Sequence, residues 1–174
     1  MTKWRLPSSD IYEASIETKG DVLLENIEPF FQKYRDEVYR LALSYTRNPA
    51  EAEDVCQTVF LKLMEQKTIS PGKEKQWLMQ VTVNQCRSLL RSAWWRKTAP
   101  LEEPIPWEMG AYHWVYQSVM ALPPKYRVVV YLHYYELYTT AEIADLLKIS
   151  RTAVTTRLNR ARKQLKESLK EETV

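Results

Sequence analysis

The chain has 174 residues, 45% hydrophobic and 27% charged, with a net charge of +3, a balance that allows one globular domain or two small ones. No run reaches the roughly 18 apolar residues of a membrane span, and Trp4, Asp10, Glu13 and Glu17 interrupt any apolar leader, so a cytoplasmic protein without membrane insertion is expected. Cys56 and Cys86 are isolated, without CxxC spacing, and His113 and His133 lie far apart, which leaves no metal cluster and no cofactor to expect and makes both cysteines reduced and buried.

With three glycines and with Leu, Ala, Glu, Lys, Arg and Gln recurring at spacings of three and four, the helical period dominates and the fold class is all-α. Residues 1–25 are weakly patterned and form an N-terminal extension with no assigned structure. A first helical domain is expected over residues 26–97. In it Phe30, Phe31, Tyr34, Val38, Leu41, Ala42 and Tyr45 share one helical face, and Asn48 with Pro49 stops that helix. A second helix starts near Ala50, with Glu51, Glu53 and Asp54 favouring its N-terminal dipole and Ala52, Val55, Cys56, Val59, Phe60 and Leu63 turned inward. The loop from Gln66 to Lys73, holding Ser70, Pro71 and Gly72, ends it. A third helix runs from about Glu74 to Trp95 with Trp77, Leu78, Val81 and Leu89 as its apolar side.

Residues 98–110 carry Pro100, Pro104 and Pro106 among acids. Proline removes backbone donors and restricts its predecessor, so this segment reads as a semi-rigid interdomain linker. A second helical domain is expected over residues 111–174. It opens with Tyr112 to Ala121, breaks at Pro123 and Pro124, and resumes from Tyr126 to Tyr138. Thr139 followed three residues later by Glu142 is a capping box for a short helix through Leu147. Lys148, Ile149 and Ser150 form a turn, Ser150 caps the next helix, and Val154, Leu158, Ala161 and Leu165 give that helix a buried stripe. The pattern is a helix-turn-helix.

Charge is concentrated where a polyanion would be met. Residues 148–170 carry eight basic side chains against Glu167 alone, and residues 73–97 carry six against Glu74, which points to two contacts with nucleic acid. A recognition helix puts its first side chains at base edges and uses the surrounding cations for phosphates. Arg151, Thr152, Thr155 and Thr156 hold the reading positions, followed by Arg157, Arg160, Arg162 and Lys163.

The stretch LPPKYRVVVYLHYYELYTTAEIADLLKISRTAVTTRLNRARKQL, Leu122 to Leu165, resembles region 4 of the sigma-70 family of transcription initiation subunits. EAEDVCQTVFLKL, Glu51 to Leu63, and WLMQVTVNQCRSLLR, Trp77 to Arg91, resemble regions 2.2 and 2.3 to 2.4 of that family. With only a linker between the two, the chain resembles the extracytoplasmic-function (ECF) group. The resemblance implies a sigma factor that directs initiation from −10 and −35 promoter elements, with core RNA polymerase (beta-prime and beta subunits), promoter DNA and an anti-sigma factor as partners. It implies core-polymerase binding through Asp54, Gln57 and Thr58. It also implies −10 contacts from Asn84 with Lys73, Lys75, Arg87 and Arg91, and −35 contacts from the eight recognition-helix residues named above. This chain departs from the family pattern at Thr58 and Ser88, where acids are usual, at Thr152-Ala153 for a Gly-Thr pair, and at Lys148 for a turn glycine. Two other readings are a free-standing helix-turn-helix regulator and a degenerate sigma-like chain that binds only a protein partner. No phosphate-binding glycine loop, metal-ligand spacing or nucleophile and base pair indicates an enzyme.

Overall fold

The computed structural model describes residues 17–18, 21–23, 27–66, 68–92 and 113–171. The expected linker at 98–110 and most of the N-terminal extension lie outside these residues. The fold is all-α in its body: α1 Glu28–Thr46, α2 Pro49–Glu65, α3 Glu74–Arg91, α4 His113–Ala121, α5 Pro124–Val130 continued by a π-helical turn Tyr131–Tyr135, α6 Thr140–Leu147 and α7 Arg151–Glu171. A small antiparallel sheet accompanies it, with β1 Glu17–Thr18, β2 Asp21–Leu23 and β3 Thr68–Ile69 in that order. One strand thus forms inside the stretch read from sequence as an irregular loop, where Ile69 is buried.

Local chemistry sets most boundaries. Asn48 accepts hydrogen bonds from the backbone N–H groups of Ala50 and Glu51 and starts α2, with Pro49 in its first turn, a place where a missing N–H costs nothing. Thr139 and Glu142 make the expected reciprocal capping box, and Ser150 Oγ accepts from the Ala153 N–H at 3.1 Å. Three helices end on a left-handed residue that is not glycine: Arg47, Leu137 and Lys148, with φ of 57°, 59° and 50°. Each such residue costs roughly 1–2 kcal/mol, and backbone bonds such as Tyr138 N–H to Leu132 O and Ile149 N–H to Ala144 O hold two of them in place.

Three expectations need correction. The third helix stops at Arg91, because Ser92 turns to extended backbone and folds its N–H and hydroxyl back onto Leu89 O. Its buried side is Leu78, Met79, Thr82, Val83 and Cys86, while Trp77, Val81 and Leu89 are only partly covered. The stripe is rotated from the expected one because α3 packs against both α1 and α2. The helix read through Tyr138 ends at Tyr135, widened to a π turn and closed by left-handed Leu137.

The two helical units are not separate bodies. One buried cluster runs from Val38, Leu41 and Leu78 into Val128, Leu132 and Ile143, and α1 packs against α5 as α3 does against α6. Cys56 and Cys86 are free and buried, and burial pushes both thiols up to about 12.

Candidate nucleic-acid interface

The α7 helix presents its residues as its sequence pattern requires. Val154, Leu158 and Ala161 are buried, at 0%, 3% and 0% exposure, and hold one side of the helix against the rest of the unit. On the other side Arg151, Thr152, Thr155, Thr156, Arg160 and Lys163 are exposed. Left-handed Lys148 and the Ser150 cap fix where the helix begins, so Arg151 and Thr152 stand at its exposed front end. Thr155 Oγ1 donates to Arg151 O at 3.1 Å within the helix, which leaves its oxygen as an acceptor on the surface. Arg162 donates through Nε to the Tyr134 hydroxyl at 2.6 Å, and Nη1 reaches Asn159 Oδ1 at 3.1 Å, so this cation is oriented by its own unit. Arg157 is half-buried on the flank towards Tyr45.

The α3 set behaves differently. Asn84, Arg87 and Arg91 fall within about 60° of one another around the helix, and Lys73 stands at its N-cap. Asn84 is exposed and accepts from Gln80 Nε2 at 3.3 Å; this bond stays within α3 and puts Asn84 on an open helical face. Lys75 points elsewhere. Its ammonium lies 3.0 Å from Glu37 Oε2 and 3.1 Å from Glu136 Oε2, and the Glu136 side chain is 6% exposed. Burial works against the Lys75 charge, but the hydrogen bonds with Glu37 and Glu136 outweigh it and raise its pKa. Arg87 donates through Nη2 to Leu147 O, the last residue of α6, at 2.6 Å. The structure therefore brings Asn84, Arg87 and Arg91 to one side and separates Lys75 from them.

Asp54, Gln57 and Thr58 lie on the face of α2 opposite its core residues. Asp54 and Thr58 line a cleft of about 410 Å³ between α2 and α3, closed on the far side by Gln85, Ser88 and Ser92, and Lys62 Nζ bridges the helices to Gln85 Oε1 at 2.8 Å. Sequence reasoning missed Leu61 and Met64, which continue this face and are 59% and 61% exposed. Their signal was their absence from the inward stripe of Ala52, Val55, Val59 and Leu63.

Also missed was Arg127, 1% exposed. Among the described residues its guanidinium donates to backbone carbonyls: Ser44 and Tyr45 (3.0 Å) in α1, and Met120 (2.6 Å) and Leu122 (3.0 Å) beside it. The C-terminal ends of α1 and α4 carry the negative poles of their dipoles, which favour a cation there. Burial lowers its pKa to about 9, leaving it charged at neutral pH.

Residues 30–96 match the family described as Sigma-70 region 2, and residues 112–165 match Sigma-70, region 4. The chain belongs to the sigma-70 family. Its relatives include the ECF RNA polymerase sigma factor SigE of Mycolicibacterium smegmatis, 26% identical over 95% of this chain and 71% of the relative. Another is the ECF sigma factor SigW of Bacillus subtilis, 25% identical over 79% of this chain and 86% of the relative. Among solved structures, the sigma factor RpoE in its complex with the anti-sigma factor NepR from Bartonella quintana superposes with a TM-score of 0.68, at 18% identity, over 84% of this chain and 98% of RpoE. This sigma-70 family chain is of the ECF type, with a region 2 and a region 4 and the role of an RNA polymerase sigma factor. Its region 4 holds the helix-turn-helix of α6 and α7. Among the described residues no helix is long and apolar enough to cross a membrane.

Proposed function

We propose that the chain directs core RNA polymerase to promoters by reading a −35 element with α7 and a −10 element with α3, while the exposed face of α2 holds the polymerase. The observation that carries this reading is the front of α7. Arg151, Thr152, Thr155 and Thr156 are exposed together at the start of a capped helix that follows a tight turn. Such a helix end fits the major groove, where arginine reads guanine bidentately and threonine donates, accepts or packs on a thymine methyl. Lys163 and Arg160 extend the same side as phosphate ligands. For the −10 element, Asn84 offers both a donor and an acceptor to an unstacked base, with Arg87, Arg91 and Lys73 along the strand. On α2, Asp54, Gln57 and Thr58 supply polar contacts around Leu61 and Met64, a rim and apolar centre suited to a protein partner. The complex of RpoE with NepR supports an anti-sigma factor as a further partner. Bond-forming chemistry belongs to the polymerase.

The test is transcription in vitro with purified core polymerase on a library randomised upstream of the start site. Selected templates are expected to share two separated elements and to need both chain and core. Tight binding of the isolated chain to a palindromic duplex, with no initiation in the presence of core, would replace this reading by that of a free-standing regulator.

A further inference from the structure

Arg162 of α7 is exposed, yet its direction is fixed. Its Nε donates to the Tyr134 hydroxyl at 2.6 Å and its Nη1 to Asn159 Oδ1 at 3.1 Å, and the guanidinium carbon lies 5.7 Å from the centre of the Tyr134 ring. Both acceptors are neutral, so the cation is oriented without being cancelled. Lys75 differs, because Glu136, a carboxylate across the seam between the two helical units, lies 3.1 Å from its ammonium. Around Arg162 the local charge is positive: Lys166 follows one turn on, while Glu167 stands about 140° away around the helix.

Tyr134 is itself braced. It belongs to the π-helical turn Tyr131–Tyr135, a widening that recurs at functional sites, and it is 53% exposed. Its ring meets the His133 ring edge to face at 4.9 Å, and His133 Nδ1 lies 3.0 Å from Tyr138 O. Tyr134 takes the Nε hydrogen of Arg162 and Asn159 takes one hydrogen of Nη1. Among the described residues the other Nη1 hydrogen and both on Nη2 are left, the end-on edge that grips two oxygens of a phosphate. Arg162 stands three turns beyond Arg151, within about 20° of it around the helix and about 16 Å further along. The major groove is about 12 Å wide, so with Arg151 and Thr155 at base edges Arg162 is carried to the phosphates at its border.

We propose that Tyr134, outside the recognition helix, is a positioning residue for DNA: it holds Arg162 end-on towards one backbone phosphate beside the −35 element. The inference rests on the promoter reading above and adds to it a preset phosphodiester site. What Tyr134 supplies is orientation, since an arginine that must be ordered on binding loses affinity that a prepositioned one keeps. A carboxylate in its place would give the same direction but cancel the charge that releases counterions from DNA. A phenol orients and leaves that charge intact.

The experiment measures binding of the full chain to a duplex of randomised sequence by fluorescence anisotropy over a salt series. Arg162→Ala is expected to reduce the salt slope by about 0.9, one phosphate contact. Tyr134→Phe keeps the ring and the cation and loses only the hydroxyl; it is expected to keep the parent slope and to bind about threefold to tenfold more weakly at fixed salt. Tyr134→Glu is expected to lower the slope at least as far as Arg162→Ala does. In the Arg162→Ala background, Tyr134→Phe is expected to change binding by less than about twofold, because its effect runs through the arginine. Circular dichroism establishes that each variant folds; where Tyr134→Glu does not, Tyr134→Phe and the double variant decide. A slope for Arg162→Ala equal to the parent's overturns the phosphate site. Weakening by Tyr134→Phe that is the same with and without Arg162, or absent from both, overturns the positioning role. The promoter reading fails separately, if the parent chain with core polymerase initiates with no preference at −35.

Discussion

The two basic helices, α3 and α7, are alike in charge and unlike in employment. On α7 Arg151, Thr152, Thr155 and Thr156 stand in solvent at the front, Arg157 is half-buried, and Arg162 is steadied by Tyr134. On α3, Lys75 and Arg87 are spent on the neighbouring unit, while Asn84 stays open. A count of lysines and arginines therefore overstates the side chains that α3 leaves without a partner in the other unit. What decides availability is which acceptors the tertiary fold puts within reach.

The comparison can be broken or sharpened experimentally. The largest effect is expected at the seam. Arg127→Met leaves four carbonyls without their donor and is expected to cost about 3 kcal/mol in denaturant unfolding, with the units melting less cooperatively; an unchanged midpoint would remove Arg127 from the account. Next, Arg151→Ala and Thr155→Ala are each expected to change which −35 sequences are used, by roughly 1–3 kcal/mol per base contact. Selection from a library randomised at −35 measures this, and an unaltered profile excludes both side chains from base reading.

Thr139→Ala is expected to cost about 1 kcal/mol by removing the α6 cap. The hydrogen bonds from Thr139 hold the Glu142 carboxyl below its ordinary value of 4.5. The stability linked to this carboxylate is therefore complete above that value and lost as pH falls through the lowered folded pKa. The gap between parent and variant is expected to narrow in acid, and a gap independent of pH would mean that Glu142 contributes nothing through its charge. Lys148→Gly, relieving a left-handed residue, is expected to gain about 1 kcal/mol, read from thermal unfolding. The smallest effect tests α3 against α7 directly. Lys163→Ala is expected to lower the salt slope of duplex binding by about one phosphate contact, while Arg87→Ala leaves the slope of the isolated chain unchanged. Equal changes in both would show that the α3 cations are as free as those of α7.

The front of α7, the caps at Thr139 and Ser150, and the inward stripe of α2 were legible in the residues, because each depends on neighbours within one or two turns. The face of α3 was not. Its period allowed more than one apolar side, and packing against α1 and α2 chose Leu78, Met79, Thr82, Val83 and Cys86. Leu61 and Met64 were readable as apolar residues off the stripe, but only the folded structure shows that they stand exposed.

By itself the sequence determined the all-α class, the capping of α6 and α7 and the helix-turn-helix with the exposed residues at the front of α7, since helical period and capping are local physics. Only the tertiary structure decided that Arg127, Lys75 and Arg87 each meet a partner about 60 to 80 residues away. Arg127 and Arg87 bind main-chain carbonyls, which every residue possesses, so no side-chain pattern advertises them. The acceptors of Arg127 become a site only when the ends of α1 and α4 are carried to one guanidinium.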